Sequence, residues 1–247
     1  MRLKDKVAIV TGAARHIGAL YAKRLAAEGA TVVIADVLDG EQVVREITSG
    51  GGKAMALKID VSKEEDTLRM AEKTVGEFGR IDILVNNAAL FLGIKRRPFY
   101  EISAEEWDRV SAVNIKGPFL CAKAVFPQMK KQRSGKIINI SSTTALQGTP
   151  LFVHYVASKA AVIGITRALA REMGEYGICV NAVAPGLIHH EGMNAPKEFT
   201  EFQLQARSLK RLEAPEDLIG TIIYLASSDS DFVTGQTIVV DGGSVLH

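Results

Sequence analysis

The sequence predicts an α/β fold, in which one doubly wound parallel sheet carries helices on both faces. Two observations lead to this prediction. Short apolar runs alternate with longer segments of helical periodicity along the whole chain, and such alternation is typical of parallel sheets built from strand–helix–strand units. The strand-like runs are almost continuously apolar, as expected for strands covered on both faces. No linker, repeat or low-complexity stretch divides the chain, so residues 1–247 are predicted to form a single domain.

Three strand–helix pairs open the chain. The three predicted strands are apolar and partly β-branched, and they cover residues 7–11, 31–35 and 54–59. The three predicted helices carry apolar residues at helical spacing, and they cover residues 16–28, 40–49 and 63–78. Gly29 and the run Gly50-Gly51-Gly52 follow the first two helices and are expected to end them, since glycine is common just after a helix C-terminus.

Four further strands and three helices complete the pattern. The strands cover residues 81–85, 136–140, 178–183 and 237–240, and the helices cover residues 104–131, 155–176 and 215–226. Ser103 is placed to cap the first of these helices, and Glu105 suits its positive N-terminal end. Pro118 and Pro127 are expected to bend or interrupt that helix. Pro215 is expected to open the last helix from its first position.

The composition argues against several classes of function. The net charge is +2, from 30 basic and 28 acidic residues, which gives no basis for binding nucleic acid or an anionic membrane. No run reaches the ~18 apolar residues of a membrane span, and the first apolar run is too short for a signal peptide. Cys121 and Cys179 stand apart in apolar segments, which predicts free thiols in the cytoplasm and no metal site.

Glycines and polar residues follow the ends of the predicted strands. They are Gly12, Asp36, Asp60, Asn86, Ser142 and Pro185. Ligands of doubly wound sheets bind beyond the carboxyl ends of the strands, near the point where the strand order reverses. We therefore expect these residues to line one binding site.

An ordered series of motifs runs along this edge. It consists of Thr11-Gly12-Ala-Ala-Arg-His-Ile-Gly18, Asn86-Asn87-Ala88, Asn114, Ser142 and Tyr155-Val-Ala-Ser-Lys159. Each motif alone is weak evidence, whereas the complete order is not expected by chance. The series resembles the short-chain dehydrogenase/reductase family in its short, single-domain form, over residues 4–247. The resemblance implies a Rossmann sheet, a nicotinamide coenzyme and hydride transfer between an alcohol and a ketone.

The first turn is expected to hold the coenzyme pyrophosphate. Gly12 allows the tight turn, Gly18 lets the following helix pack close to the strand, and the helix N-terminus directs N–H groups at the anion. His16 replaces the middle glycine of the family pattern. If that position needs a positive φ, histidine there costs on the order of 1 kcal/mol. The side chain either turns away, which we favour, or it crowds the pyrophosphate and weakens binding or contacts the pyrophosphate directly.

Two side chains bear on the choice of coenzyme. Asp36 ends the second strand, where a carboxylate can accept hydrogen bonds from both hydroxyls of the adenosine ribose and repel a 2′-phosphate. Arg15 favours the other coenzyme, because a basic residue in this turn often accompanies NADP in the family that the chain resembles. Asp36 makes the closer contact, so NAD is expected and NADP is the less favoured alternative.

The resemblance implies further coenzyme contacts. Asp60 and Val61 correspond to the adenine contact, and Ile188 belongs to the segment that holds the nicotinamide carboxamide. His190 stands where the family usually has a threonine. The expected coenzyme-binding set is Gly12, Arg15, His16, Ile17, Gly18, Asp36, Asp60, Val61, Asn87, Ala88, Tyr155, Lys159, Pro185, Gly186, Ile188 and His190.

The resemblance assigns catalysis to Asn114, Ser142, Tyr155 and Lys159. Tyr155 is the expected base for the substrate hydroxyl, although an unperturbed tyrosine pKa of about 10 is too high for this role. Lys159, one helical turn further along the same face, is expected to lower that pKa and to hold the nicotinamide ribose. Ser142 is expected to polarise the substrate oxygen, and the neighbouring Ser141 competes for this assignment. Asn114 is expected to kink its helix and to bind a water that joins Lys159 to solvent.

Three stretches are expected to form the substrate wall: residues 90–92, 144–152 and 187–208. The last is predicted to be a lid that closes over the substrate and excludes water. The lining is mainly apolar, which favours a small cyclic or aromatic secondary alcohol or its ketone. The basic run Lys95-Arg96-Arg97 either holds a substrate carboxylate or phosphate or forms a solvated loop, and we favour the loop.

Two alternative functions remain open, and the sequence also predicts an oligomeric state. A nucleotide-sensing or interaction protein on the same fold is suggested by His16, Ala89 and His190, and it is opposed by the complete catalytic set. An NADPH-dependent 3-oxoacyl reductase is opposed by Asp36. The predicted helix 155–176 carries many small residues, among them Ala160 and Gly164, and together with the habit of the family this predicts a homotetramer.

Overall fold

Seven strands form one sheet. They are β1 (Val7–Thr11), β2 (Thr31–Asp36), β3 (Lys53–Lys58), β4 (Ile83–Asn86), β5 (Gly135–Ile140), β6 (Ile178–Pro185) and β7 (Thr237–Val240). Their order is β3-β2-β1-β4-β5-β6-β7, and every pairing is parallel. The doubly wound parallel sheet predicted from the sequence is therefore confirmed. The order reverses between β1 and β4, which places the ligand edge at the carboxyl ends of these two strands.

The computed structural model describes residues 1–91, 93–189 and 197–246, without the side chains of residues 197–199, 202 and 203. Its helices are α1 (His16–Ala27), α2 (Glu41–Ser49), α3 (Glu64–Phe78), α4 (Ala104–Ser111), α5 (Gly117–Gln132), α6 (Thr144–Gln147), α7 (Val153–Met173), α8 (Lys197–Ala206) and α9 (Ile219–Ala226). No helix within these ranges is long and apolar enough to cross a bilayer.

Two hydrophobic cores cover the two faces of the sheet. One joins the strands to α1, α2 and α9, through Tyr21, Leu25, Ile47 and Ile222. The other joins them to α3, α5 and α7, through Met70, Val125, Met129 and Met173. Alternate residues of β1 serve the two cores, because Val10 lies in the first and Ile9 in the second. Burial on both faces explains why the strand sequences are apolar without alternation.

The predicted helix 104–131 is interrupted, as its prolines suggested, but the interruption precedes them. α4 ends at Ser111, a π-helical turn covers Ala112–Lys116, and α5 begins at Gly117. Pro118 lies in the first turn of α5, directly after the π-helical turn, whereas Pro127 lies inside α5 and does not end it. A π-helical turn re-aims the side chains it contains and is frequent at functional sites, and this one contains Asn114.

The predicted lid, residues 187–208, is described in part. Its second half contains α8, and Ile188 at its start forms an isolated parallel bridge with Glu213. His190 lies outside the described residues, so its predicted contact with the coenzyme stays a prediction.

Candidate functional site

The turn after β1 is shaped by close backbone contacts. Gly12 has φ of 64°, and a Cβ on it would lie 2.7 Å from the Ala88 Cα. A Cβ on Gly18 would overlap the Gly12 carbonyl oxygen. The Asn87 side-chain amide donates to the carbonyl oxygens of Thr11 and Gly12, at 3.0 Å each. Only glycine fits these two positions, and the closeness of α1 to the turn suits an anion held at a helix N-terminus.

His16 has the positive φ that the glycine pattern suggested. Its φ is 52°, in the left-handed region where a residue with a Cβ costs about 1–2 kcal/mol. Arg15 before it is extended, and both side chains are exposed at the start of α1. Ile17 packs against the core under α1. The turn therefore keeps the backbone path of its glycine form while carrying a histidine.

Asp36 is held in place by two backbone donors. Its Oδ2 accepts from the Ala14 N–H at 2.9 Å, and its Oδ1 accepts from the Leu38 N–H at 3.0 Å. The carboxylate is buried at the end of β2 and faces the glycine turn. It therefore sits in one orientation beside the place where the sequence analysis expects the adenosine ribose.

The ends of β3 and β6 border the same edge. The Asp60 Oδ1 accepts from the Ser62 N–H at 3.0 Å and from its hydroxyl at 2.7 Å. Val61 next to it is buried, and a Cβ on Gly117 would lie 2.9 Å from the Val61 side chain. Pro185 ends β6. β3 and β6 are not neighbours in the sheet, but because all strands are parallel the residues that follow them lie at the same carboxyl-terminal side of the sheet.

Tyr155 and Lys159 lie one turn apart on α7, and both are buried. The Lys159 Nζ donates to the carbonyl oxygen of Ile140, the last residue of β5, at 2.8 Å and lies 5.7 Å from the Tyr155 ring centroid. Burial lowers the pKa of Lys159 from its ordinary value to about 8. A lysine with a pKa this close to neutrality can hold or release a proton at little cost.

The sequence predicted that Lys159 lowers the pKa of Tyr155, and the structure does not support this prediction. Burial raises the pKa of Tyr155 above its ordinary value, and Ser142 acts in the opposite direction through its hydrogen bond with the tyrosine. The reason is geometric, since Lys159 extends to the Ile140 carbonyl and not to the tyrosine hydroxyl.

The structure separates the two neighbouring serines. The Ser141 hydroxyl donates to the Lys159 carbonyl oxygen at 2.8 Å, so it ties β5 to α7. Ser142 is the residue that meets Tyr155, and its Oγ accepts from the Thr144 N–H at 3.3 Å. The different directions follow from the alternation of side chains at the end of a strand.

Asn114 is buried and connects the π-helical turn to the site. Its Oδ1 accepts from the Leu90 N–H at 2.7 Å, and its Nδ2 donates to the Leu90 carbonyl at 3.1 Å and to the Ser158 hydroxyl at 3.1 Å. Ser158 in turn donates to the Tyr155 carbonyl oxygen at 2.7 Å. Asn114 thus links the loop after β4 to α7 at the position of Tyr155.

Aromatic rings border Tyr155 on the substrate side. Phe152 stacks on it with ring centroids 4.7 Å apart and planes 25° apart, and Phe91 lies 5.3 Å away. The Arg96 guanidinium carbon lies over the Phe152 ring, 5.5 Å from its centroid. Both phenylalanines come from stretches predicted to form the substrate wall. Arg96 is exposed, so the favoured interpretation of a solvated loop stays a prediction, and the path of the loop brings this side chain over the Phe152 ring.

A buried ion pair near the site was missed by the sequence analysis. Arg207 is the residue that directly follows α8. Its guanidinium lies 3.4 Å from the Glu213 carboxylate and donates to the Leu187 carbonyl oxygen at 2.8 Å. The His189 N–H donates to the Glu213 carbonyl at 2.7 Å. Burial raises the pKa of Glu213 to about 7, against the effect of Arg207. The signal available in the sequence was two opposite charges flanking a short loop, which is a common surface pattern.

Metal ligation has no visible basis in the described ranges. Within them, no three His, Cys, Asp or Glu side chains come close enough to hold an ion. Cys121 and Cys179 are free and buried.

Comparison with known proteins places the chain among nucleotide-dependent oxidoreductases. A family model described as enoyl-(acyl carrier protein) reductase matches residues 12–245. The chain is 42% identical over 246 residues to 3-oxoacyl-(acyl-carrier-protein) reductase FabG of Staphylococcus epidermidis, covering 98% of this chain and 100% of the relative. It is 41% identical over 254 residues to (2S)-((R)-hydroxy(phenyl)methyl)succinyl-CoA dehydrogenase subunit BbsD of Thauera aromatica, covering 100% and 99%.

Solved structures agree with this placement. A chain named as a short-chain alcohol dehydrogenase from Sinorhizobium meliloti 1021 superposes with a TM-score of 0.92 at 33% identity, covering 98% of this chain and 97% of that chain. A chain named as a gluconate dehydrogenase from Agrobacterium tumefaciens also superposes with a TM-score of 0.92 at 33% identity, over 99% and 98%.

Proposed function

The chain belongs to the short-chain dehydrogenase/reductase family and is an NAD(P)-dependent oxidoreductase acting on CH–OH groups; from this premise we propose that it transfers a hydride between NAD and a small secondary alcohol or ketone bearing a cyclic or aromatic group. The observation that carries the proposal is the buried pair of Tyr155 and Lys159 beside Ser142, with aromatic rings next to them.

Each residue of the pair has a defined task in the proposed reaction. Tyr155 accepts the hydroxyl proton during oxidation, and Ser142 donates a hydrogen bond to the substrate oxygen. Lys159 holds a positive charge close to Tyr155 and passes the proton onward, since its pKa is about 8. The bound coenzyme supplies the hydride acceptor and a further positive charge. That charge favours the phenolate, which burial of Tyr155 disfavours.

NAD is the proposed coenzyme because of Asp36. Two backbone N–H groups orient the carboxylate, so a 2′-phosphate at the adenosine ribose would meet a fixed negative charge. The glycine turn fits a pyrophosphate, and Gly12, Gly18, Asp60 and Ile188 are the further residues we expect to hold the coenzyme. Residues 187–208 are proposed to act as a lid anchored through Ile188 and Arg207.

The aromatic preference rests on Phe91 and Phe152. Phe152 is buried against Tyr155, and Phe91 is 41% exposed next to both rings, so the Phe91 ring can give a flat apolar group of the substrate contact area and ring stacking. The relative from Thauera aromatica is named for a hydroxy(phenyl)methyl compound, which supports a secondary alcohol next to an aromatic ring. A nucleotide sensor without activity loses its support, since the relatives and the complete catalytic set favour an enzyme.

One second candidate has specific support. Several relatives, including the one from Staphylococcus epidermidis, are named 3-oxoacyl-(acyl-carrier-protein) reductases. Arg15 is exposed and follows Ala14, whose N–H donates to Asp36, and a guanidinium in this turn suits a 2′-phosphate. Reduction of 3-oxoacyl thioesters with NADPH is therefore the alternative to be tested.

Separate calorimetric titrations of NAD and NADP test the proposal. We expect NAD to bind at least about tenfold more tightly, a difference of ~1.4 kcal/mol, and the enzyme to oxidise cyclic and aryl secondary alcohols. Tyr155→Phe is the matched control, because it should lose about 100-fold or more in kcat and keep its affinity for NAD. Tighter NADP together with turnover of a 3-oxoacyl thioester would favour the second candidate, and retention of more than a few per cent of activity would refute the role of Tyr155 as base.

The proposal includes a cytoplasmic homotetramer. Ala160, Gly164 and Ala168 form an exposed stripe of small residues along α7, and a Cβ on Gly164 would meet open space. Phe119 on α5 is exposed as well. Such a surface allows two long helices of a second copy to approach closely. We expect light scattering to give the mass of four chains, and a monomeric mass at micromolar concentration would contradict this. The two buried free thiols suit a reducing compartment.

A further inference from the structure

The segment that follows β6 rests on the buried ion pair of Arg207 and Glu213. Their side chains are 1% and 3% exposed, and a guanidinium nitrogen lies 3.4 Å from a carboxylate oxygen. A Cβ on Gly186 would lie 2.6 Å from the Glu213 Oε2 and 3.4 Å from an Arg207 guanidinium nitrogen. The backbone at Gly186 is therefore in direct contact with the pair, and glycine is the residue that permits so close an approach.

Each partner also holds the backbone further along this segment. The Arg207 guanidinium donates to the Leu187 carbonyl oxygen at 2.8 Å. The Glu213 backbone carbonyl accepts from the His189 N–H at 2.7 Å. Ile188 lies between these two contacts and forms a parallel bridge with Glu213. Backbone groups of successive residues in an extended segment point in opposite directions, so the N–H and carbonyl of Ile188 point away from the pair.

The pair is in turn held by the chain around it. Arg207 also donates to the Arg211 carbonyl oxygen at 3.3 Å, within the loop that leads to Glu213. The Leu209 N–H, two residues after Arg207, donates to the Gly242 carbonyl oxygen at 2.8 Å, just after β7. The pair is thus fixed against the end of β7, and it passes this fixed position on to the segment after β6.

A buried ion pair holds a segment at a cost in free energy. Removal of both charges from water offsets much of their attraction, so apolar residues of similar size often stabilise a fold as well. The property that the pair adds is direction, because a guanidinium donates along fixed lines in its plane. The contact with the Leu187 carbonyl uses this direction and sets the path of the backbone next to Ile188.

We propose that Arg207 and Glu213 are positioning residues for the nicotinamide half of the coenzyme, which they hold through the backbone of Ile188. This inference rests on the proposed function and deepens it. Under that function, backbone groups of Ile188 meet the nicotinamide carboxamide, so their direction sets how tightly the ring is held and how well it faces the substrate carbon. The adenosine half is held at Asp36 and the glycine turn, so the pair should affect its binding little.

The test compares two ligands that differ in the nicotinamide ring. NADH and ADP-ribose are titrated calorimetrically into wild type and into Arg207→Met/Glu213→Leu, which replaces the pair by apolar side chains and should keep the urea midpoint close to that of wild type. We expect the double variant to bind NADH about tenfold more weakly, as misplacing one or two hydrogen bonds would cause. Its affinity for ADP-ribose should stay within about twofold of wild type, within the range that a single weak contact changes.

Two further variants separate direction from charge. Arg207→Lys keeps a buried cation but lacks the planar fork, so it should bind NADH about threefold more weakly and keep its affinity for ADP-ribose. This milder change decides the question if the double variant does not fold. Arg211→Met is the matched control, because it removes an exposed cation of the same loop that pairs with Asp217. It should bind both ligands like wild type.

Equal losses of NADH and ADP-ribose affinity in the variants would mean that the pair only supports the fold, and they would overturn the inference. Unchanged affinity for both ligands would overturn it too, as would a loss in Arg211→Met that matches that of the double variant. In these cases, binding of NADH by wild type leaves the proposed function standing. Wild type that binds neither NADH nor NADPH would remove the proposed function itself and the inference with it.

Discussion

Lys159 and Arg207 are buried cations that contact the carboxyl ends of the neighbouring strands β5 and β6, and the groups around them differ. Lys159 donates to the Ile140 carbonyl at the end of β5, and burial lowers its pKa to about 8. Arg207 donates to the Leu187 carbonyl just after β6 and lies 3.4 Å from the Glu213 carboxylate. The arginine is neutralised by a carboxylate inside the protein, whereas the lysine meets the dipole of a peptide group.

The difference shows which charge holds structure and which is kept for chemistry. A buried ion pair adds little net stability, but loss of one partner leaves an uncompensated charge. Arg207 and Glu213 therefore fix the segment that carries Ile188. A buried lysine beside a carbonyl costs stability, and proteins retain such strained charges mostly where function needs them. Under the proposed function, a bound ligand supplies the groups that interact with the Lys159 charge.

Replacing Lys159 gives the largest expected effect and tests this contrast directly. Lys159→Met should lower kcat/KM by about 10²–10⁴-fold, the usual range for loss of general acid–base assistance. It should also raise the free energy of unfolding at pH 7 by on the order of 1–3 kcal/mol, because a desolvated charge is removed. Steady-state kinetics and urea unfolding of the same preparation check both results.

Arg207→Met is the matched control, since it removes the other buried cation. It should lower the free energy of unfolding at pH 8, where Glu213 is ionised, by about 3–5 kcal/mol. The double variant Arg207→Met/Glu213→Leu should recover most of this loss. The contrast between the two cations would collapse if Lys159→Met were destabilised to the same extent as Arg207→Met.

The fold could be predicted because its signals are local and repeated. Burial on both faces makes each strand apolar along its length, and the helices between strands show the period of an α-helix. The residues at the strand ends could also be predicted, because parallel strands bring their carboxyl ends to one edge. Gly12, Asp36 and Ser142 are found there for this reason.

Features that depend on the path of a loop could not be predicted. Arg96 lies over Phe152 only because the loop after β4 crosses the segment before α7. Arg207 and Glu213 pair through a turn whose direction no periodicity records. Ser141 and Ser142 have the same side chain, and only their alternate directions at the end of β5 separate them. Three-dimensional contacts decide each of these cases.

The pH dependence of stability offers a smaller effect that sharpens the comparison. Burial raises the pKa of Glu213 from 4.5 to about 7, so between these values the folded chain holds a proton that the unfolded chain has lost. The contribution of Glu213 to the free energy of unfolding is therefore fully present below pH 4.5 and is lost as the pH rises towards 7. Burial lowers the pKa of Lys159 from 10.5 to about 8, so its contribution has the opposite slope and rises between pH 8 and 10.5.

The two pH dependences can be separated by comparing the free energy of unfolding of wild type with that of each single variant. In urea unfolding at fixed protein concentration, the free energy of unfolding of wild type minus that of Glu213→Gln should fall as the pH rises from 4.5 to 7, and it should stay level above pH 7. The difference between wild type and Lys159→Met should rise between pH 8 and 10.5, by at most ~1.4 kcal/mol per pH unit for one proton. A level difference for Glu213→Gln would mean that Arg207 fully offsets the burial of the carboxylate. The Arg207–Glu213 pair would then carry no electrostatic cost of burial, and Lys159 alone would bear such a cost, so the contrast between the two cations would widen.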